Sequence, residues 1–107
     1  DPKWFTEDPG LAWGFWSFCH RAYSEAEPHP GYHIVRKWMN RTPLLGYSFT
    51  SNIDGHWARA GWPEELLCEC HGAVRWLQCS VPCGNAIWDI PADLELEESP
   101  KTHTAQG

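Results

Sequence analysis

The chain has 107 residues, eight tryptophans within a 14% aromatic content, and a net charge of −6, a size that suits one domain or part of one and buries about two thirds of its unfolded surface. The eight basic residues are scattered from Lys3 to Lys101, which argues against a nucleic-acid partner, because phosphate binding needs clustered Lys and Arg. No apolar run reaches membrane-spanning length and no basic segment leads into a cleavage site, so no membrane partner is expected; five cysteines cannot all pair internally, and an intracellular, thiol-reduced setting, cytoplasmic or nuclear, fits them best.

Along the chain, Asp1-Pro2 and Asp8-Pro9-Gly10 read as turns that lead into a helix. Leu11, Phe15, Phe18, Ala22 and Ala26 then recur at helical spacing, widened by Ala12, Trp16 and Cys19, which predicts a helix with one buried face. Pro28 ends it, since its ring blocks the continuing backbone and it has no N–H to donate. A second helix is expected from about Gly31 to Met39, burying Ile34, Val35, Trp38 and Met39, with Arg36-Lys37 on a solvated face and His29 a structural residue at the helix entrance. Tryptophans in this setting are expected to pack in the core.

Leu44 to Thr50 reads as a strand, with Leu45, Tyr47 and Phe49 on one face and Gly46 and Ser48 on the other. Such a strand suits the interior of a helix-covered parallel sheet, whose carboxyl end is where open α/β sheets bind ligands. Pro63-Glu64-Glu65 predicts a first helical turn, and Leu66 to Glu69 a short strand that leads to His71. From Pro91 to Gly107 the composition turns to Asp, Glu, Ser, Pro, Lys and Thr, and an acidic disordered tail is expected after a folded region of residues 1–90. No G-x-G dinucleotide fingerprint occurs anywhere in the chain.

The residues that can carry chemistry sit after these strands. Asn52 and Asp54 are short, polar and alternate in a loop after a buried strand, so both reach one crevice; the competing reading is an Asx-turn. His71 is followed by Gly72, which leaves room for a substrate against the backbone, and imidazole is the side chain best suited to taking a proton near neutral pH. Glu69 and His71 would share a face if the strand continued through them. Cys70 and His71 are adjacent, which in a strand points them to opposite faces and excludes a direct thiol–imidazole dyad.

Taken in order, Asn52-Ile53-Asp54, Ala60-Gly61, Glu69-Cys70-His71-Gly72 and the pair Cys79 and Cys83 resemble the central segment of the sirtuins, the NAD-dependent protein deacylases. The resemblance runs from about Asp8 to Trp88. It departs from the family pattern at Ser51, where Gln is usual, and at His56-Trp57, where Leu-His is common. It implies an α/β fold, a partial Rossmann-like parallel sheet with helices, plus an incomplete zinc-ribbon-like segment. It further implies an NAD site formed by Ser51, Asn52, Ile53 and Asp54, catalysis by His71 with Asn52 and Asp54, and an acylated-lysine protein or peptide as substrate. In that chemistry the acyl oxygen attacks the ribose carbon bearing nicotinamide, and His71 deprotonates a ribose hydroxyl so that the acyl group migrates. Cys79 and Cys83 correspond to the first half of a Cys₄ zinc site, with weak zinc retention expected from two ligands. The same sugar chemistry also permits NAD cleavage or ADP-ribosyl transfer, and a partial catalytic domain could persist as an inert interaction module.

Overall fold

The computed structural model describes residues 1–43, 46–81, 83–94 and 96–106. It divides into two compact units, one of residues 1–22 and 76–107, the other of residues 23–75.

In the first unit, α1 (Trp4–Glu7) is a single turn that runs into α2 (Pro9–Glu25), which continues into the second unit. The Asp8 carboxylate accepts from the Leu11 N–H at 3.0 Å, which satisfies an otherwise unpaired donor of the first turn. The buried residues of α2 are small, Ala12 and Cys19 on one side of the helix and Gly14 on the opposite side. Burial pushes the Cys19 thiol above its ordinary range. The large side chains Leu11, Phe15 and Phe18, expected inside, are exposed.

The side carrying Gly10 and Gly14 has a clear use. A Cβ on Gly14 would lie 2.2 Å from the His103 carbonyl oxygen, and one on Gly10 would lie 3.3 Å from that of Ala105. The C-terminal segment seated there pairs β5 (Glu97–Glu98) with β6 (Ala105–Gln106) in an antiparallel hairpin, and Arg21 grips Glu98 through two bonds of 2.9 Å. That bidentate contact holds the Glu98 carboxyl below its usual range. The segment from Pro91, expected to be a disordered tail, therefore carries hairpin structure. β3 (Trp76–Gln78) and β4 (Ile87–Asp89) form a second antiparallel hairpin in this unit, with Cys79 and Cys83 in its connection.

In the second unit, α3 (Pro30–Met39) begins as predicted, with the His29 Nδ1 accepting from the Gly31 N–H at 3.1 Å and Pro30 in the first turn. The expected burial of Ile34, Val35 and Trp38 is reversed, since all three are exposed. Arg36, expected in solvent, is half-buried and donates to the Ala60 carbonyl at 2.7 Å.

β1 (Ser48–Thr50) pairs in parallel with β2 (Leu67–Glu69), in the register Ser48–Leu67, Phe49–Cys68, Thr50–Glu69. Leu44 and Leu45 of the predicted strand lie outside the described residues. The parallel pairing agrees with the α/β expectation, but the faces are exchanged. Ser48 and Thr50 are buried, whereas Tyr47 is 60% and Phe49 71% exposed. Thr50 Oγ1 accepts from the Asn52 N–H at 3.1 Å, and the Thr50 carbonyl accepts from the Cys70 N–H at 3.0 Å, so the polar face is tolerated inside because it is hydrogen-bonded.

Between the strands, α4 (His56–Arg59) follows Gly55, whose φ of 69° is left-handed, and a 3₁₀ turn over Glu64–Leu66 follows Pro63. Tyr32, Trp57 and Trp62 stack edge to face, with centroids 4.7 and 4.9 Å apart, and the Trp62 indole donates to the Leu66 carbonyl at 2.8 Å. Trp62 is buried, but Trp4, Trp13, Trp16, Trp38, Trp76 and Trp88 are exposed, against the expectation of core packing.

Candidate active site

The predicted loop leaves the carboxyl end of β1. Ser51 and Asn52 are exposed, and Ile53 and Asp54 are half-buried. The Ile53 carbonyl accepts from the Val74 N–H at 2.9 Å, which ties this loop to the segment after β2. Asp54 serves the local backbone, since its Oδ1 accepts from the His56 N–H at 2.9 Å at the start of α4. Its Oδ2 lies 3.8 Å from His56 Nδ1, while His56 Nε2 faces the Tyr23 carbonyl at 3.3 Å. The Asx-turn reading is thus the one that the Asp54 side chain meets.

β2 ends at Glu69, and the chain turns through Cys70 and His71, closed by the Gly72 N–H donating to the Glu69 carbonyl at 2.9 Å. Gly72 takes a φ of 75°, the left-handed conformation that such a turn requires. The strand does not continue through His71, so Glu69 and His71 do not share a strand face. The Glu69 side chain is buried and His71 is exposed.

His71 Nδ1 lies 3.1 Å from the Ser51 carbonyl oxygen. A carbonyl only accepts, so Nδ1 carries the hydrogen and the neutral ring keeps its lone pair on Nε2. That leaves an accessible base beside the loop of Ser51 and Asn52. The Cys70 thiol donates to the Thr50 carbonyl at 3.2 Å, so thiol and imidazole are each spent on a different backbone oxygen and form no dyad.

Two contributors carried little signal in the sequence. Tyr32, on α3, packs against the rings of Trp57 and His56 with centroids 4.7 and 6.0 Å away. Its phenol is pushed above the ordinary tyrosine range by burial and by the Asp54 charge, with the Asn52 side chain in hydrogen-bonding reach and acting in the opposite sense. Arg75 binds Glu69 through Nη2–Oε2 at 2.8 Å and Nη1–Oε1 at 3.3 Å. The only hint of the first was its place on a helix preceding the strand, and of the second an acid and a base flanking His71.

The other predicted pair lies in the first unit. Cys79 and Cys83 are exposed and their sulfurs are 3.0 Å apart; hydrogen bonding to Cys83, followed by burial, pushes the Cys79 thiol up. Among the described residues no group of three or more His, Cys, Asp or Glu side chains is arranged to hold a metal. Tetrahedral zinc needs four ligands, more than these two thiols supply.

Comparison with known proteins bears on the family of this chain. The Sir2 family model matches residues 1–106. The chain is similar to an NAD-dependent protein deacylase of Aquifex aeolicus, 30% identical over 106 residues that cover 99% of this chain and 42% of the relative. It is also similar to NAD-dependent protein deacylase 2 of Pseudomonas aeruginosa, 34% identical over 100 residues that cover 94% of this chain and 38% of the relative. A probable bifunctional ADP-ribose hydrolase/ADP-ribosyltransferase of Fusarium oxysporum f. sp. cubense is 30% identical over 71 residues, covering 66% of this chain and 12% of the relative. No solved structure matches. The chain therefore spans 42% or less of the length of these curated relatives. Because the family model spans residues 1–106 of the 107, the chain belongs to the Sir2 family, the sirtuins.

Proposed function

We propose that this chain carries the ribose-facing part of an NAD-dependent protein lysine deacylase site, as the central portion of its catalytic domain. The observation that supports this most directly is the His71 Nδ1 contact with the Ser51 carbonyl, which leaves Nε2 free as a general base. NAD would supply a ribose carbon made electrophilic by its nicotinamide leaving group. His71 would take a proton from a hydroxyl of that sugar at Nε2. Asn52 and Ser51 would orient the sugar from an exposed loop, and Asp54, with Ile53 beside it, would bind the carboxamide. Gly72, with nothing within 4 Å of the position a Cβ would take, leaves space for an acylated lysine to approach the turn. Cys79 and Cys83 would supply two thiolates of a zinc site that shapes the neighbouring hairpin.

The name of the Fusarium relative, a probable bifunctional ADP-ribose hydrolase/ADP-ribosyltransferase, gives weight to a second reading, in which another nucleophile takes the ADP-ribosyl group. Product analysis separates the two. With NAD and an acetyl-lysine peptide, the deacylase reading expects O-acetyl-ADP-ribose, and His71→Ala is expected to lower its formation by about 10²- to 10⁴-fold. ADP-ribose or an ADP-ribosylated protein without the O-acetyl product favours the transferase reading. If calorimetric titration shows no NAD binding, an interaction module is the reading left standing.

A further inference from the structure

We propose that the Glu69–Arg75 ion pair is a positioning device for His71, a clamp that holds the base-bearing turn against the Asn52–Gly55 loop. The proposal rests on the catalytic reading of His71 given above, and it adds two residues that act through geometry.

The turn from Glu69 to Arg75 is closed twice. Its backbone closes by the Gly72 N–H to the Glu69 carbonyl at 2.9 Å, and its ends close again through the two side-chain bonds of 2.8 and 3.3 Å between Arg75 and Glu69. A two-point guanidinium–carboxylate contact fixes orientation as well as distance, which a single point charge does not. The Glu69 side chain is only 7% exposed and that of Arg75 36%, so the carboxylate is withdrawn from water and depends on its partner.

The same guanidinium also reaches the other half of the site. A Cβ on Gly55 would come within 2.5 Å of Arg75 Nη1, so the guanidinium occupies the space that glycine leaves in the loop carrying Asn52 and Asp54. The Val74 N–H, one residue before Arg75, donates to the Ile53 carbonyl at 2.9 Å. Arg75 therefore touches the end of β2 and the loop after β1 together, and His71 lies at the crest of the turn they enclose. Without the clamp, the exposed His71 ring keeps only its 3.1 Å contact with the Ser51 carbonyl to fix its tautomer.

The test reads the His71 tautomer directly by nitrogen-15 NMR of the imidazole in the 107-residue chain, beside the rate of nicotinamide release from NAD. The wild-type chain is expected to show His71 protonated at Nδ1. Arg75→Met is expected to shift the ring toward the Nε2-protonated form, and to lower kcat by about tenfold to a hundredfold with KM changed less than about twofold. Arg75→Lys, which keeps charge but not the fork, is expected to fall between. The indole resonance of Trp62, bonded to Leu66, reports that each variant is folded. If Arg75→Met does not fold, Glu69→Gln decides in its place. A folded variant lacking the fork, with wild-type tautomer and wild-type kcat, overturns the proposal. A tautomer shift in a chain that releases no nicotinamide keeps the clamp and removes the catalytic reading it was attached to.

Discussion

At the scale of single residues, the site is an exercise in which lone pair is left over. Ser51 contributes its carbonyl, Asp54 spends one oxygen on the backbone N–H of His56, and His71 is left with Nε2. Tyr32 supplies a way to see the Asp54 charge from outside. Its pKa is raised, so its phenol stabilises the fold fully below the ordinary value of about 10 and loses that contribution as pH rises through the raised value. In a spectroscopic phenolate titration, Tyr32→Phe should remove a late-ionising component. Asp54→Asn should move that component to lower pH, because one of the two causes that raise it is gone. A midpoint indifferent to Asp54→Asn means that the carboxylate does not face the phenol. The placement of Asn52, Asp54 and His71 after β1 and β2 was legible in the sequence, because a short motif fixes backbone positions. Tyr32 and Arg75 were not, because what they do depends on where a long side chain ends.

At the scale of elements, periodicity located the helices and strands better than it assigned their faces. Pro28, His29 and Pro30 punctuate the chain so firmly that α2 and α3 end and begin near where the sequence places them. Faces are another matter, since a stripe of large apolar residues marks a side that differs from the other without saying which one has a neighbour. On α2 one covered side is the one with glycine, because a backbone approaches it more closely than any side chain allows. The hairpin of β5 and β6 was illegible for the same reason: strands of two residues carry no alternation, and their seat lies elsewhere in the sequence, at Gly10, Gly14 and Arg21. Gly14→Ala tests that seat cleanly. Alanine favours the helix by up to about 1 kcal/mol, yet its Cβ would meet the His103 carbonyl at 2.2 Å. The expected result is a helix whose amides stay protected while those of residues 99–106 exchange faster. Unchanged exchange in that segment means that the hairpin is not seated on Gly14.

At the scale of the whole molecule, the question is what so many uncovered apolar side chains do in water. Leu11, Phe15 and Phe18 lie at i, i+4 and i+7 of α2, and Ile34, Val35 and Trp38 share a side of α3; all six are exposed, Trp38 by 61% and Phe15 by 56%. Among the described residues no large side chain is fully buried. Full burial of a large aliphatic or aromatic side chain contributes about 1.5–3 kcal/mol, and total stability is only about 5–15 kcal/mol, so leaving half a dozen of them about half exposed forfeits a large part of the whole. Contiguous apolar stripes of this kind bind apolar dyes and associate. The 107-residue chain is therefore expected to enhance the fluorescence of an anilinonaphthalene dye under native conditions, and to sediment as larger species as its concentration rises. Replacing Phe15 and Trp38 by Lys should reduce both effects without loss of helical circular dichroism, because each occupies an exposed helix position where its removal uncovers nothing. A chain that stays monomeric and dye-silent over the same range would mean that these side chains are covered in solution, and that the helix stripes read from Leu11, Phe15 and Ile34 mark a core after all.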